Sequence, residues 1–253
     1  MKGDLTPFLR RRSTEGQRVG LARALSKLGY CSRHQAWDLI QAGRVRVNGA
    51  VQRDPEWRVA WQRDRIAVDG TLIGAAQKVY LMLNKPRGLI TTASDEKGRE
   101  TVFRCLAGND FSFLAPVGRL DQASEGLLLF TNDTAWAAHI TAPDCHLHKT
   151  YHVQVNRLAD QALARRMQGG VTVDGDLLAA KRVRVLRHGG RNSWLEVVLD
   201  EGKNRHLRRL MGALDVSVLR LVRVAIGPLR LGTLAKGKWR LLTPEEIAAL
   251  AVS

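Results

Sequence analysis

At 253 residues and 45% hydrophobic composition, the chain can form one large domain or two smaller ones and bury a real core, which excludes wholesale disorder. Forty Lys+Arg against 24 Asp+Glu leave a formal charge of +16, so a polyanionic partner is expected, with nucleic acid ahead of an anionic membrane surface. No apolar run approaches the ~20 residues that span a bilayer, the charged start is not a secretory signal, and three widely spaced cysteines read as reduced cytosolic thiols rather than a disulfide framework.

Residues 1–17, with Arg10, Arg11 and Arg12 among Gly, Ser and Thr, read as a basic flexible tail. From Val19 to Leu28 the pattern is helical, with Leu21, Leu25 and Leu28 on one stripe and Gly29 as the stop. Ser32 then reads as the N-cap of a second helix, Arg33 to Ala42, which buries Ala36, Leu39 and Ile40. Val45, Val47 and Val51 alternate with polar residues around Asn48-Gly49, a hairpin signal. This small unit, residues 18–69, lies in the more basic part of the chain: the first 76 residues carry a net +7 and the remaining 177 a net +9.

Residues 70–77 are small and polar and read as a linker. Beyond them, residues 78–253 are rich in strand signals, at Val79–Leu83, Gly126–Thr131, Tyr151–Val155, Val171–Val173, Lys181–Leu186, Trp194–Leu199 and Leu219–Ala225. Helices are predicted near Asp133–Ile140, Ala159–Met167 and Asn204–Ala213, and a last one opens on the capping box Thr243-Pro244-Glu245-Glu246. Without strict strand–helix alternation, the fold class is α+β with a mostly antiparallel sheet and flanking helices.

The stretch from Pro116 to Asp133 leads through a polar turn, Gly118-Arg119-Leu120-Asp121, and Ser124-Glu125-Gly126 into an apolar strand. Asp121 thus sits on a loop at the mouth of a buried strand, where a carboxylate can be held rigidly and still reach a cleft. Cys145, His146 and His148 lie close together, but nothing nearby completes a four-ligand metal site, and no glycine-rich phosphate loop is present.

Leu25, Gly29, Ser32-Arg33, Ala36, Ile40, Gly43, Val45, Val47 and Asn48-Gly49 together resemble an S4 RNA-binding domain. Arg33 in the first turn of the second helix, with Arg44 and Arg46 flanking the ribbon, suits phosphate contacts. The run GRLDQASEGLLLFTND resembles the signature of RsuA/RluB-type pseudouridine synthases. Asn84-Lys85-Pro86-Arg87-Gly88, Lys149-Thr150-Tyr151, the basic segment from Glu201 to Met211, Leu221–Leu229 and Gly237–Arg240 resemble further elements of that family, in its order.

The resemblance implies an isomerase that cuts the bond between uracil and ribose, turns the base, and rejoins it through carbon, with no cofactor and no metal. Asp121 occupies the position of the family's catalytic Asp, acting as a nucleophile on the ribose or as a base giving a glycal-like intermediate. Arg208 is expected to grip Asp121 through both arms of its guanidinium. Tyr151 is expected to stack on the extruded uracil or to assist proton removal. Arg119 and Lys149 are candidate phosphate holders, and Lys203, Arg205 and Arg209 would extend the basic track. The implied partner is ribosomal RNA or an assembling ribosomal particle, met by a cytoplasmic monomer with no membrane contact. The rival class is a non-catalytic RNA-binding assembly factor on the same scaffold, against which the intact Asp121 argues. No recognition-helix, zinc-finger or zipper pattern supports a DNA-binding reading.

Overall fold

The computed structural model describes residues 18–93, 95–109, 111 and 113–251; the expected basic tail, 1–17, lies outside them. The chain divides into two compact units, one built on the residues up to 79 and the other from residue 80 onward, with short stretches near 113–115 and 132–135 grouped with the first.

In the first unit, strand β1 (Val19–Gly20) leads into helix α1 (Leu21–Lys27), and helix α2 (Arg33–Gln41) comes next. The predicted first helix starts two residues late. Val19 is β-branched and Gly20 is a poor helix former, so both stay extended and pair with β4 (Arg58–Val59). Ser32 caps α2 through a full capping box: its Oγ accepts from Gln35 N at 3.1 Å, and Ser32 N donates to Gln35 Oε1 at 3.0 Å. Strands β2 (Val45–Val47) and β3 (Ala50–Gln52) form the hairpin across Asn48-Gly49, both at positive φ as a two-residue turn of this kind demands. Strand β5 (Ile66–Val68) pairs with β2 on its other edge. The segment read as linker begins with a further strand, β6 (Thr71–Leu72), because the chain reverses at Asp69-Gly70 and pairs back onto β5. Leu21, Leu25, Ala36, Ile40, Val45 and Ile66 form the unit's core.

The second unit contains β7 (Tyr80–Lys85), β8 (Ala115–Val117), β9 (Glu125–Thr131), α3 (Thr134–Thr141), β10 (Lys149–Val155), α4 (Gln161–Gly169) and the hairpin of β11 (Val171–Val173) and β12 (Asp176–Leu178). Then come β13 (Arg182–His188), β14 (Ser193–Leu199), α5 (His206–Gly212), β15 (Val218–Ile226), β16 (Leu229–Arg230), β17 (Trp239–Leu241) and α6 (Pro244–Ala251). Among the described residues, nine of these strands make one sheet in the order β13-β14-β10-β15-β9-β7-β17, with β16 added to β15 and β8 to β9. Along that path every pairing is antiparallel except β9 with β15, so the α+β, mostly antiparallel expectation holds. The predicted strands and helices all occur, with ends displaced by at most two residues. Thr243 and Glu246 form the expected capping box of α6, Thr243 N donating to Glu246 Oε2 at 2.9 Å and Glu246 N to Thr243 Oγ1 at 3.3 Å.

Two apolar clusters fill this unit. One places Leu163 and Met167 of α4 and Leu207, Leu210 and Met211 of α5 against Val153, Val155, Leu195, Val197 and Leu199. The other joins Met82, Leu127 and Leu129 to Trp136, Ile140, Leu147 and Leu250. The parallel joint at the centre depends on Gly126. Its φ is +103°, and a Cβ there would fall on the backbone carbonyl and amide of Arg223, the residue it pairs with. Gly126→Ala should therefore cost on the order of 3–5 kcal/mol of stability, read as a drop in melting temperature. A melt matching wild type would show that β9 and β15 do not meet this closely. No helix among the described residues is long and apolar enough to cross a membrane.

Candidate active site

Asp121 lies in the loop from β8 to β9, with its side chain one-third exposed. The loop's main chain is held at five consecutive carbonyls. Leu120 O accepts from Thr91 Oγ1 at 2.7 Å, Gln122 O from Gly88 N at 2.8 Å, and Ala123 O from Arg208 Nη2 at 3.1 Å. Asp121 O and Ser124 O both accept from the ammonium of Lys85, at 3.1 and 2.9 Å, and the same ammonium reaches Pro86 O at 3.1 Å. A segment fixed at every carbonyl cannot redirect its side chain without breaking several hydrogen bonds, so the Asp121 carboxylate is preorganised.

Lys85 is fully buried. Burial pulls its pKa down to about 8, against the opposing pull of Asp121, Cys105 and Glu125. The residue belongs to the NKP segment but is not among the expected site residues. Its signal in the sequence is a lysine that closes the apolar run Leu81-Met82-Leu83 at the end of a buried strand.

A cleft of about 530 Å³ opens beside Asp121. Arg119, Lys149, Tyr151, Lys203, Arg205 and Arg208 all line it, so the structure brings six predicted residues to one place around the carboxylate. Arg205 is the cation nearest to Asp121, its Nη1 standing 3.9 Å from Oδ2. It caps α5 in the left-handed region, with φ +47°, a conformation that costs a non-glycine residue about 1 kcal/mol and persists only where packing enforces it.

The expected two-armed grip of Arg208 on Asp121 does not form. Arg208 donates to Ala123 O instead, and its buried Nε makes no hydrogen bond among the described residues. The reason is position: α5 carries Arg208 beneath the loop, where a backbone carbonyl is nearer than the carboxylate. Burial lowers Arg208's pKa, and Arg205 adds to that effect while Asp121 opposes it. Arg208 thus supports the loop and contributes field to the carboxylate from a distance.

Tyr151 sits half-buried on β10, partly packed against the α4–α5 cluster. Lys149, two residues earlier on the same face, is half-buried, and burial with the charge of Arg223 lowers its pKa. Lys203 donates to Leu177 O at 3.0 Å and pairs with Glu201 at 3.2 Å. Arg209 does not join the basic track. One residue on from Arg208, it is turned by about 100° around α5, and it clamps the β11–β12 hairpin through Asp176 at 2.8 Å and Val173 O at 2.8 Å. In the first unit Arg33 is exposed, Arg46 bonds Gly49 O at 2.9 Å, and Arg44 makes a bidentate pair with Asp69.

Arg223 also lines the cleft and is absent from the expected set. It is buried at 6% exposure, donates from Nε to Leu127 O at 2.8 Å, and keeps an Nη2 with no hydrogen-bond partner among the described residues. The clue is its phase: Leu221 and Arg223 share one face of β15, so a cation there must point inward.

The comparisons with known proteins place the chain among RNA-acting isomerases. Residues 19–66 match the model of the S4 domain, and residues 79–213 match that of the RNA pseudouridylate synthases. The chain belongs to the RNA pseudouridylate synthase family. It is 37% identical over 233 residues to an uncharacterized RNA pseudouridine synthase of Aquifex aeolicus (strain VF5), covering 92% of this chain and 93% of that one. It is 33% identical over 232 residues to ribosomal large subunit pseudouridine synthase B of Bacillus subtilis (strain 168), covering 91% and 94%. A crystal structure of a pseudouridylate synthase superposes with a TM-score of 0.65 at 27% identity, over 92% of this chain and 99% of that one.

Proposed function

We propose that the protein converts one uridine of large-subunit ribosomal RNA to pseudouridine in the cytoplasm, as a monomer without cofactor, and that Asp121 is the catalytic carboxylate. The observation that carries this reading is the Asp121 loop, tied at five successive carbonyls and aimed into a cleft rimmed by Arg119, Lys149, Arg205 and Arg208. The large-subunit target is supported by the similarity to the Bacillus subtilis enzyme.

In this reading the S4 module and the cleft cations hold the RNA phosphates while the target nucleotide leaves its stack and enters the cleft. Asp121 either attacks the ribose carbon, displacing uracil, and is itself displaced when the uracil carbon bonds there, or removes a ribose proton as the bond to nitrogen breaks and returns it when the new bond forms; in both routes the freed uracil turns. Tyr151, which lines the cleft, supports the base and assists loss of the ring proton after the carbon–carbon bond forms. Arg205 stands nearest to the carboxylate, and Arg208 keeps the loop in place.

The test is pseudouridine mapping of ribosomal RNA from cells with and without the protein, by chemical labelling and reverse-transcription stops. One lost site, restored by wild type and not by Asp121→Asn, is the expected result. A lost site restored equally by both would overturn the catalytic assignment.

A further inference from the structure

The sheet of the second unit has a second charged face. On β10, Lys149 and Tyr151 point to the Asp121 cleft, so Thr150 and His152 point to the other side, as alternation requires. The register continues that other face across four strands. One row runs Arg187-Trp194-Gln154-Arg220, and the next runs Arg184-Glu196-His152-Val222. A third begins Arg182-Val198-Thr150. Alternation alone would send Arg187 to the α4–α5 side. The register shift between Val185 and Arg187 brings it back, so β13 carries three arginines on one face. These side chains stay open, Arg182 at 68% and Arg184 at 66% exposure. Arg187 and Arg220 both lie over the half-buried ring of Trp194, at 5.3 and 5.6 Å.

Positive charge wins on this surface. Lys181, Arg182, Arg184, Arg187, Arg220 and Arg230 face three carboxylates. Glu125 is buried and tied to Arg220 and Lys236, and Asp200 is paired with Lys181 and His148. Glu196 is mostly covered and is shared by Arg182, Arg184 and His152 at 3.9, 3.4 and 3.8 Å. A groove of about 850 Å³ runs over this face, bounded by Arg182 and Arg184 on one side and Arg230 on the other.

We propose that this outer face of β13-β14-β10-β15 is a second RNA-binding surface, which holds the phosphates of a substrate segment other than the one that enters the Asp121 cleft. An open sheet face with exposed arginines and an arginine-flanked tryptophan has the chemistry for an RNA strand, phosphates on the guanidinium groups and a base within reach of the ring. It rests on the proposed function for the identity of the RNA. Its consequence is that the enzyme engages RNA from both sides of one sheet, so it selects folded RNA over an isolated stem-loop.

The experiment measures binding of an in-vitro transcript of large-subunit ribosomal RNA to full-length Asp121→Asn protein across a salt series, with hydroxyl-radical footprinting. Adding Arg182→Gln, Arg184→Gln and Arg230→Gln should weaken binding roughly tenfold or more and make the salt slope shallower by about 2–3, since each phosphate contact contributes roughly 0.7–0.9 to it. One protected stretch should vanish while that around the target uridine remains. Glu196→Gln should act in the opposite sense and tighten binding about two- to tenfold. Unchanged slope and footprint in the triple variant, with no tightening by Glu196→Gln, would overturn the surface. These binding shifts in the variants, alongside a wild-type protein that forms no pseudouridine, would instead overturn the activity reading alone.

Discussion

Asp121→Asn is expected to lower pseudouridine formation by at least ~10⁴-fold while RNA affinity stays within a few-fold of wild type. The substitution removes one negative charge and leaves the loop's shape intact, because what fixes the loop is its backbone: Lys85, Thr91, Gly88 and Arg208 all bond to carbonyls, not to the Asp121 side chain. An amide in that position can neither attack the ribose nor take its proton, so either route stops. RNA contacts depend on the cations around the cleft, which remain. If anything, replacing a carboxylate in a polyanion's path favours binding slightly. Tritium released from the uracil carbon that becomes the new attachment point, followed in a single turnover, gives the rate, and filter binding gives the affinity. A variant that still turns over within tenfold of wild type would move the chemistry to another residue.

Lys85→Met is expected to cost about 3–5 kcal/mol of stability and, in protein still folded at low temperature, about 10²-fold in kcat. The methionine fills a similar space but strips the donor from Pro86 O, Asp121 O and Ser124 O in a fully buried place. Freed carbonyls seek other partners, the loop shifts, and the carboxylate leaves its attacking position. Stability comes from chemical unfolding, and kcat from saturating RNA, so the two losses separate. The same residue predicts a pH signature. Its pKa is about 8 in the folded chain against an ordinary 10.5. Between these values the unfolded chain still holds a proton that the folded chain has given up, so raising the pH favours folding. At roughly 1.4 kcal/mol for each pH unit, the stability advantage of wild type over Lys85→Met should grow by about 3 kcal/mol from pH 8 to pH 10.5. A difference that stays flat over that window would show that the ammonium keeps its proton throughout.

The long elements are readable in the sequence because they carry a period. Seven residues of β9 run unbroken into the core, and α2 announces itself with Ser32, Gln35 and a buried Ala36-Ile40 pair. Val19–Gly20, Arg58–Val59 and Thr71–Leu72 are too short to show any alternation, and they exist because a neighbouring strand offers an edge. The cleft's membership is legible from the family motifs, but its wiring is not. Arg208 is expected on the carboxylate and is found on Ala123 O, because a helix's exact height under a loop is a tertiary fact. Arg209 departs from expectation for a related reason: neighbouring positions on a helix face different partners, and only the fold shows that the β11–β12 hairpin lies on that side. Lys85 and Arg223 escape a reading of the sequence because a cation in an apolar strand looks like an end effect until its acceptors are seen.

The order of strands in the large sheet has a bearing on synthesis. β7 borders β9 on one side, close in sequence, but its other neighbour is β17, whose pairing brings Leu241 against Leu81. A ribosome adding ~5–20 residues per second needs roughly ten to thirty seconds to cover that distance. Through that interval β7 keeps an apolar edge with unpaired amides, the kind of edge on which nascent chains aggregate. Holding it safe until the last strand emerges is a task for chaperones, and slowing translation late in the gene should lower the yield of soluble protein.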